Sequence, residues 1–292
     1  MDAFLSQFEQ SVLAECELHL VSDNADNQSA MLLGKAVAFT DIEAFDFNQV
    51  ALCIVLDGGL LVDAYQDLLS SLPCQVLGFS ADLQALNPVD FHQDNQAKVV
   101  ALYQPVVTAM AQVLAPWKVQ ALDATVCYPV SVFGQAAVEE LASQTAKLLN
   151  GLKVEPKLFH TQMPFNYFPL AASPAGVAIE QQLSHDCQQA FDNADVTLTA
   201  MQMPVFHGVS ASLRVELTES LSLDDVQQAL SEMQLLRFAK DVVWSNYDMV
   251  QSDRQVSVSN VKVLPDDRIE LWLGFDEVKL GFGQQILEAT EI

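Results

Sequence analysis

The chain has 292 residues, room for two ordinary domains, and its 51% hydrophobic and 17% charged content excludes wholesale disorder. Thirty-eight acidic residues against 13 basic ones give a formal net charge of −25. That surface repels nucleic acid and anionic membranes, and a phosphate ligand would need a local cationic exception. No window holds the roughly 18 uninterrupted apolar residues of a membrane span. The start, Met1–Glu9, lacks the basic leader and apolar run of a signal peptide, so a cytoplasmic location is expected. Cys16, Cys53, Cys74, Cys127 and Cys187 form no CxxC pair, which argues against a zinc ribbon and a disulfide framework. No metal site is expected.

In chain order, Phe4, Leu5, Phe8, Val12 and Leu13 share one helical face over residues 4–15. Cys16–Val21 alternates as a strand, Asp23–Ser29 is a polar loop, and Ala36–Phe39 is a short strand. The apolar run Val50–Leu56 predicts a strand buried on both faces, ending in Asp57-Gly58-Gly59. Leu61–Leu72 reads as a helix and Cys74–Phe79 as a strand, the rhythm of an α/β nucleotide-binding domain. A boundary is placed in Ala85–Asn95. Then follow a helix over Ala97–Leu114, a strand over Val119–Val126 and a Pro/Gly-punctuated loop over Tyr128–Gly134. Gln135–Leu149 is a helix stopped by Asn150-Gly151. Ile179–Phe191 and Leu223–Met233 are helices, the second opened by Ser222 with Asp224 and Asp225 in its first turn. Strands are predicted at Val196–Met201, Ser212–Leu217, Gln255–Val263 and Ile269–Phe275, and a last helix at Gly283–Glu291.

Two segments carry a resemblance: Val138–Gly151 (VEELASQTAKLLNG) and Met203–Gly208 (MPVFHG). Ile42–Val50, Ala51–Gly59 and Thr161–Pro169, with Phe165-Asn166 and Pro169, extend it over nearly the whole chain. The sequence resembles the bacterial aspartate-semialdehyde dehydrogenases, and within them the Usg branch of dehydrogenase-like proteins. The resemblance implies α/β and α+β architecture: a Rossmann-like NADP-binding domain joined to an α+β catalytic and dimerisation domain of the glyceraldehyde-3-phosphate dehydrogenase C-terminal type. The expected units are 1–92, with the helix in 276–292 returning to it, and 93–275.

The chain departs from the family pattern where chemistry is done. The first strand and Gly-rich phosphate loop of the Rossmann domain are not found. Three outcomes are open: the strand at Cys16–Val21 closes directly onto Val50–Leu56, a partner's segment fills the slot, or the true chain starts upstream. The nucleophilic cysteine that the resemblance implies falls in His92–Gln96, which has no thiol. The arginine clamp and histidine base fall on Gln202 and Val209, and the active-site glutamine on Tyr128. The phosphate-binding arginine falls on Asp82-Leu83. Gly58, Gly59, Asp276 and Gly281 match cofactor-contact positions, but Asp57 stands beside the glycines and Glu277 replaces a neutral amide. No catalytic residue is therefore assigned; His207, Cys127 and Tyr128 are the candidates if a reshaped pocket works.

The expected function is an aspartate-semialdehyde dehydrogenase-like pseudoenzyme without catalysis, a homodimer acting as a dimerising or partner-binding scaffold for an unknown protein. No cofactor is expected, NADP only if the family site is retained. The alternatives are an NADP-dependent oxidoreductase with an altered site, and a small-molecule-sensing module.

Overall fold

The computed structural model describes the chain except residues 1–4, 6, 7, 10, 11, 27, 57–59, 80–82, 91–93, 95, 192, 193, 253–255, 278, 279, 281–284 and 286–292. It divides into two compact units, Met1–Tyr103 with Gly281–Ile292, and Gln104–Leu280. The expected helix at Gly283–Glu291 lies outside the described residues apart from Gln285.

The first unit holds two small sheets. β1 (Leu20–Ser22), β2 (Ser29–Leu32) and β3 (Lys35–Asp41) form one, in the order β1-β3-β2. β2 escaped the sequence reading. It is joined to β3 by a two-residue hairpin in which Leu33 (φ 48°) and Gly34 (φ 73°) are both left-handed, as a turn matched to strand twist requires. The second sheet orders β4 (Leu52–Ile54), β5 (Gln75–Phe79), β6 (Val89–Asp90) and β7 (Val99–Leu102) as β4-β5-β7-β6, all parallel. Two short helices, α1 (Leu60–Ala64) and α2 (Gln66–Ser71), stand where one was expected, with the break at Tyr65.

The expected helix over Ala97–Leu114 is corrected to strand β7 followed by α3 (Pro105–Leu114). Proline at the first helical position suits a helix start. It also disfavours helical backbone at the preceding residue, and Gln104 is accordingly extended (ψ 144°). A helix could not run through that point.

The second unit is built on a seven-stranded mixed sheet. Its strands are β8 (Val119–Tyr128), β9 (Phe168–Pro169), β10 (Asp195–Gln202), β11 (Val209–Leu217), β12 (Leu236–Phe238), β13 (Val256–Val263) and β14 (Ile269–Phe275), ordered β12-β13-β14-β11-β8-β10-β9. Leu122, Val126, Leu213, Val215, Leu271 and Leu273 are buried across its centre. α4 spans Gln135–Leu149 as expected, and its stop is explained by Gly151 in left-handed backbone (φ 68°). α5 spans Pro174–Ala190, five residues earlier than read; Ser173 caps it by accepting from Gly176 N–H, with Pro174 in the first turn. α6 (Leu223–Glu232) opens on a capping box between Ser222 and Asp225. α7 (Asn246–Val250) has the same box between Ser245 and Asp248. The fold is the mixed α/β and α+β architecture expected.

No described helix is long and apolar enough to cross a membrane.

Candidate functional site

Cys127, Tyr128, Gln202, His207 and Val209 lie at one end of β8, β10 and β11. β8 and β10 run parallel with Tyr128 opposite Gln202 and Cys127 opposite Met201. β11 lies antiparallel on the other side of β8, with Ser210 opposite Cys127. The segment between β10 and β11 is pinned back onto the end of β8: Val130 N–H donates to Val205 O at 3.0 Å and Ser131 N–H to Phe206 O at 3.2 Å. Gly208 makes the turn into β11 with φ 95°, and a Cβ there would lie 2.5 Å from Asn246 Oδ1. Asn246 Nδ2 donates to His207 O at 2.8 Å and fixes the approach.

Cys127 and Tyr128 are neighbours on a strand, so their side chains point to opposite faces. Tyr128 is buried, and its hydroxyl donates to Gln104 Oε1 at 3.1 Å. Gln104 in turn donates its N–H to Asp186 Oδ2 at 2.7 Å and its Nε2 to Ile179 O at 3.1 Å. Asp186 also accepts from Gln182 Nε2. Burial, then the nearby Cys187, Asp186 and Glu180, push the phenol far above its ordinary value. It is a fixed hydroxyl in a closed polar network. The Cys127 thiol is also pushed up by burial, against a smaller lowering from a hydrogen bond with Ser210, so the thiolate that covalent chemistry needs is disfavoured.

Gln202 is fully buried. Its Nε2 donates to Tyr128 O and Met203 O, both at 3.2 Å, and its Oε1 has no partner among the described residues. Val209 is buried opposite Phe275. Both positions therefore hold packed, neutral side chains.

His207 behaves differently. Its side chain is 50% exposed, and Nδ1 lies 2.8 Å from Glu277 Oε1. Glu277 Oε2 accepts Gly208 N–H at 2.6 Å, and Ser131 Oγ donates to Oε1. A carboxylate at Nδ1 selects the tautomer with its proton there, leaving Nε2 as the basic nitrogen of the neutral ring. No hydrogen bond joins any two of Cys127, Tyr128 and His207 among the described residues. Ser131 and Gln104 were missed in sequence, and Glu277 was noted only as a misfit; a carboxylate beside a histidine seventy positions away leaves no mark on local spacing. Gly58, Gly59, Gly281 and Gln93 lie outside the described residues. Among the described residues, no three His, Cys, Asp or Glu side chains gather as metal ligands would.

The first unit contains a cavity of about 670 Å³ between the edges of β1 and β4. Among the described residues, its lining includes Glu17, His19 and Asp23 and neither lysine nor arginine.

Comparison with known proteins agrees with this architecture. Residues 111–278 match the family described as semialdehyde dehydrogenase, dimerisation domain. A USG-1 protein homolog of Azotobacter vinelandii is 29% identical, with 94% of this chain and 89% of that protein covered. An aspartate-semialdehyde dehydrogenase of a Shewanella species is 23% identical, over 94% of this chain and 88% of its own length. The crystal structure of aspartate semialdehyde dehydrogenase II from Vibrio cholerae superposes with a TM-score of 0.85 at 23% identity, covering 99% of this chain and 93% of that one. The chain belongs to the semialdehyde dehydrogenase family, as a Usg-type relative of the aspartate-semialdehyde dehydrogenases.

Proposed function

We propose that the chain is a catalytically inactive member of its family, which uses the inherited dimerisation domain as a dimerising or partner-binding scaffold and takes no nicotinamide cofactor. The observation that carries this reading is Gln202. At the position where the resemblance implies a substrate-gripping arginine, a neutral amide is buried and spent on two backbone carbonyls. A side chain so placed cannot present the bidentate cation that a carboxylate substrate calls for.

Two further features support it. Val209, where a base is implied, is a packed aliphatic side chain with no proton to move. The second unit also exposes apolar groups along and after α4: Leu149, Leu152, Leu158, Phe165 and Tyr167, with Phe165 and Leu149 each 75% exposed. Large apolar groups left in water in one region mark association surfaces, and a symmetric homodimer would cover them. The net charge of −25 opposes self-association at long range, so the covered area has to be substantial and apolar.

The test is thermal unfolding with and without NADP, alongside sedimentation. Any ligand of the native state raises the melting temperature. No shift at millimolar NADP and a stable dimer are expected. A shift that saturates with NADP would overturn the cofactor-free reading.

A second reading, an oxidoreductase with a rebuilt site, is favoured by the exposed His207 held against Glu277, an arrangement suited to a general base. It needs turnover that His207→Ala removes.

A further inference from the structure

A second group of exposed apolar side chains lies on the second unit, apart from the one along and after α4. Phe206 is 44% exposed, Val243 69% and Tyr247 71%. Direct contacts hold them in one region. Asn246 Nδ2 donates to His207 O at 2.8 Å, and a Cβ on Gly208 would lie 2.6 Å from Val250 Cγ1. The segment that carries Phe206 is therefore packed on α7, which carries Tyr247, and Val243 stands just before the Ser245 cap of that helix.

The backbone under these side chains is fixed. The capping box between Ser245 and Asp248 closes the first turn of α7. Arg237 Nη1 donates to Asp248 O at 2.9 Å, and its guanidinium lies 4.3 Å over the ring of Trp244. Met249 fills the space beside Gly274 in β14, where a Cβ would collide with its sulfur. Apolar groups held in water on a fixed frame mark an association surface, and one that loses little freedom when it binds.

This surface is separate from the one beside α4. α7 packs on β14, whereas Phe165 and Tyr167 precede β9. β14 and β9 stand four places apart in the strand order, about 19 Å. A two-fold dimer is closed by one self-complementary patch, so a dimer built on the α4 surface leaves this one open.

The surrounding charges select the occupant. Asp241 and Asp248 are exposed beside Val243 and Tyr247. The cations nearby are engaged: Lys240 Nζ lies 3.4 Å from Asp224 Oδ1, and Arg237 is held over Trp244. A second copy would bring the same carboxylates against these, on a chain of net charge −25. An arginine suits both parts of the surface, since its guanidinium stacks on an aromatic ring and pairs with a carboxylate through two N–H groups.

We propose that Phe206, Val243 and Tyr247 form the docking surface for a separate protein whose contact segment carries arginines among aliphatic side chains. This names the partner's chemistry within the scaffold reading and rests on it. The test reads binding rather than turnover, so an active chain that binds would refute only the inactive reading, and an inactive chain that does not bind would refute only this one.

The probe is a blocked, fluorescein-labelled peptide of alternating arginine and leucine, titrated into the full chain and followed by anisotropy. The salt is about 0.15 M, where attraction between exposed charges beyond about 8 Å is screened. Saturable binding is expected. Val243→Ser and Tyr247→Ser should each weaken it by about fivefold or more, as loss of an interface anchor does. Leu149→Ser, on the α4 surface, should leave it unchanged. All three variants keep the net charge, and equal melting temperatures show that they fold. A peptide with glutamate for arginine should not bind, and one with neutral citrulline should bind more weakly. No saturable binding at millimolar peptide would overturn the proposal. So would equal binding to the double variant Val243→Ser/Tyr247→Ser, which marks non-specific attraction to an acidic surface. So would loss of self-association in Tyr247→Ser, which assigns the surface to a second copy.

Discussion

His207 and Glu277 are joined at 2.8 Å through Nδ1 and Oε1, and the other carboxylate oxygen holds the backbone of the next residue, Gly208, at 2.6 Å. Glu277 therefore fixes both the imidazole and the turn that carries it. Its side chain is only 13% exposed. Glu277→Ala would strand the Gly208 N–H and the Ser131 hydroxyl, and a loss of about 1–3 kcal/mol is expected. His207→Ala removes a half-exposed partner and should cost under about 1 kcal/mol. Urea unfolding of both variants measures the contrast. Equal losses would show that the carboxylate is not the anchor.

Gln202 gives the opposite sign of argument. Its Oε1 is buried and unpartnered, while Tyr128 O keeps a second donor in Met203 N–H at 2.9 Å. Gln202→Met should change stability by less than about 1 kcal/mol, because it removes an unsatisfied oxygen along with two long hydrogen bonds. Gln202→Arg buries a cation where a neutral amide is packed, and a loss of about 3 kcal/mol or more is expected. Denaturant titration of the two variants checks the order; a stable arginine variant would mean that the clamp position still has a carboxylate to grip.

Two glycines separate space from backbone conformation. At Gly176 a Cβ would lie 1.8 Å from Leu170 O, in ordinary helical backbone. At Gly151 nothing lies within 4 Å, but φ is 68°. Gly151→Ala should cost about 1–2 kcal/mol, the price of left-handed backbone alone. Gly176→Ala should cost about 3 kcal/mol or more, since backbone must move. Melting temperatures of the two variants rank them.

Glu140 sets a pH dependence. Burial raises its pKa, but bonds from Lys157 and Leu158 N–H, from Gln144 and from Phe159 N–H outweigh that and hold it below its usual 4.5. A depressed folded pKa gives stability that is complete above the unfolded value and lost as pH falls through the folded one. Wild type should exceed Glu140→Gln by a constant margin at neutral pH. The margin should shrink once pH drops below about 4.5. Urea unfolding of both proteins across that range measures it, and a margin unchanged by acid would contradict the assignment.

The long periodic elements were readable because one physical signal fixed each. α4 has its apolar face and a glycine stop, and β14 its alternation of buried Ile269, Leu271 and Leu273 with Glu270 and Trp272, and both appear at the bounds read from sequence. The run at Val99–Leu102 was misread because the same apolar residues serve a strand or a helix, and Pro105 had to arbitrate. β2 was missed because Ser29–Leu32 is short and depends on its hairpin partner. At the candidate site, the replacements at Gln202 and Val209 were legible as departures from a pattern. The Glu277 bonds to Ser131, His207 and Gly208 were not, since three distant segments meet there only after the sheet forms.

The most direct test of the central claim is a steady-state assay of the purified chain with aspartate semialdehyde and NADP in phosphate buffer. An inactive scaffold gives no NADPH above a protein-free blank at any substrate concentration. Saturable NADPH formation that His207→Ala abolishes would contradict it and establish a working site around the His207–Glu277 pair.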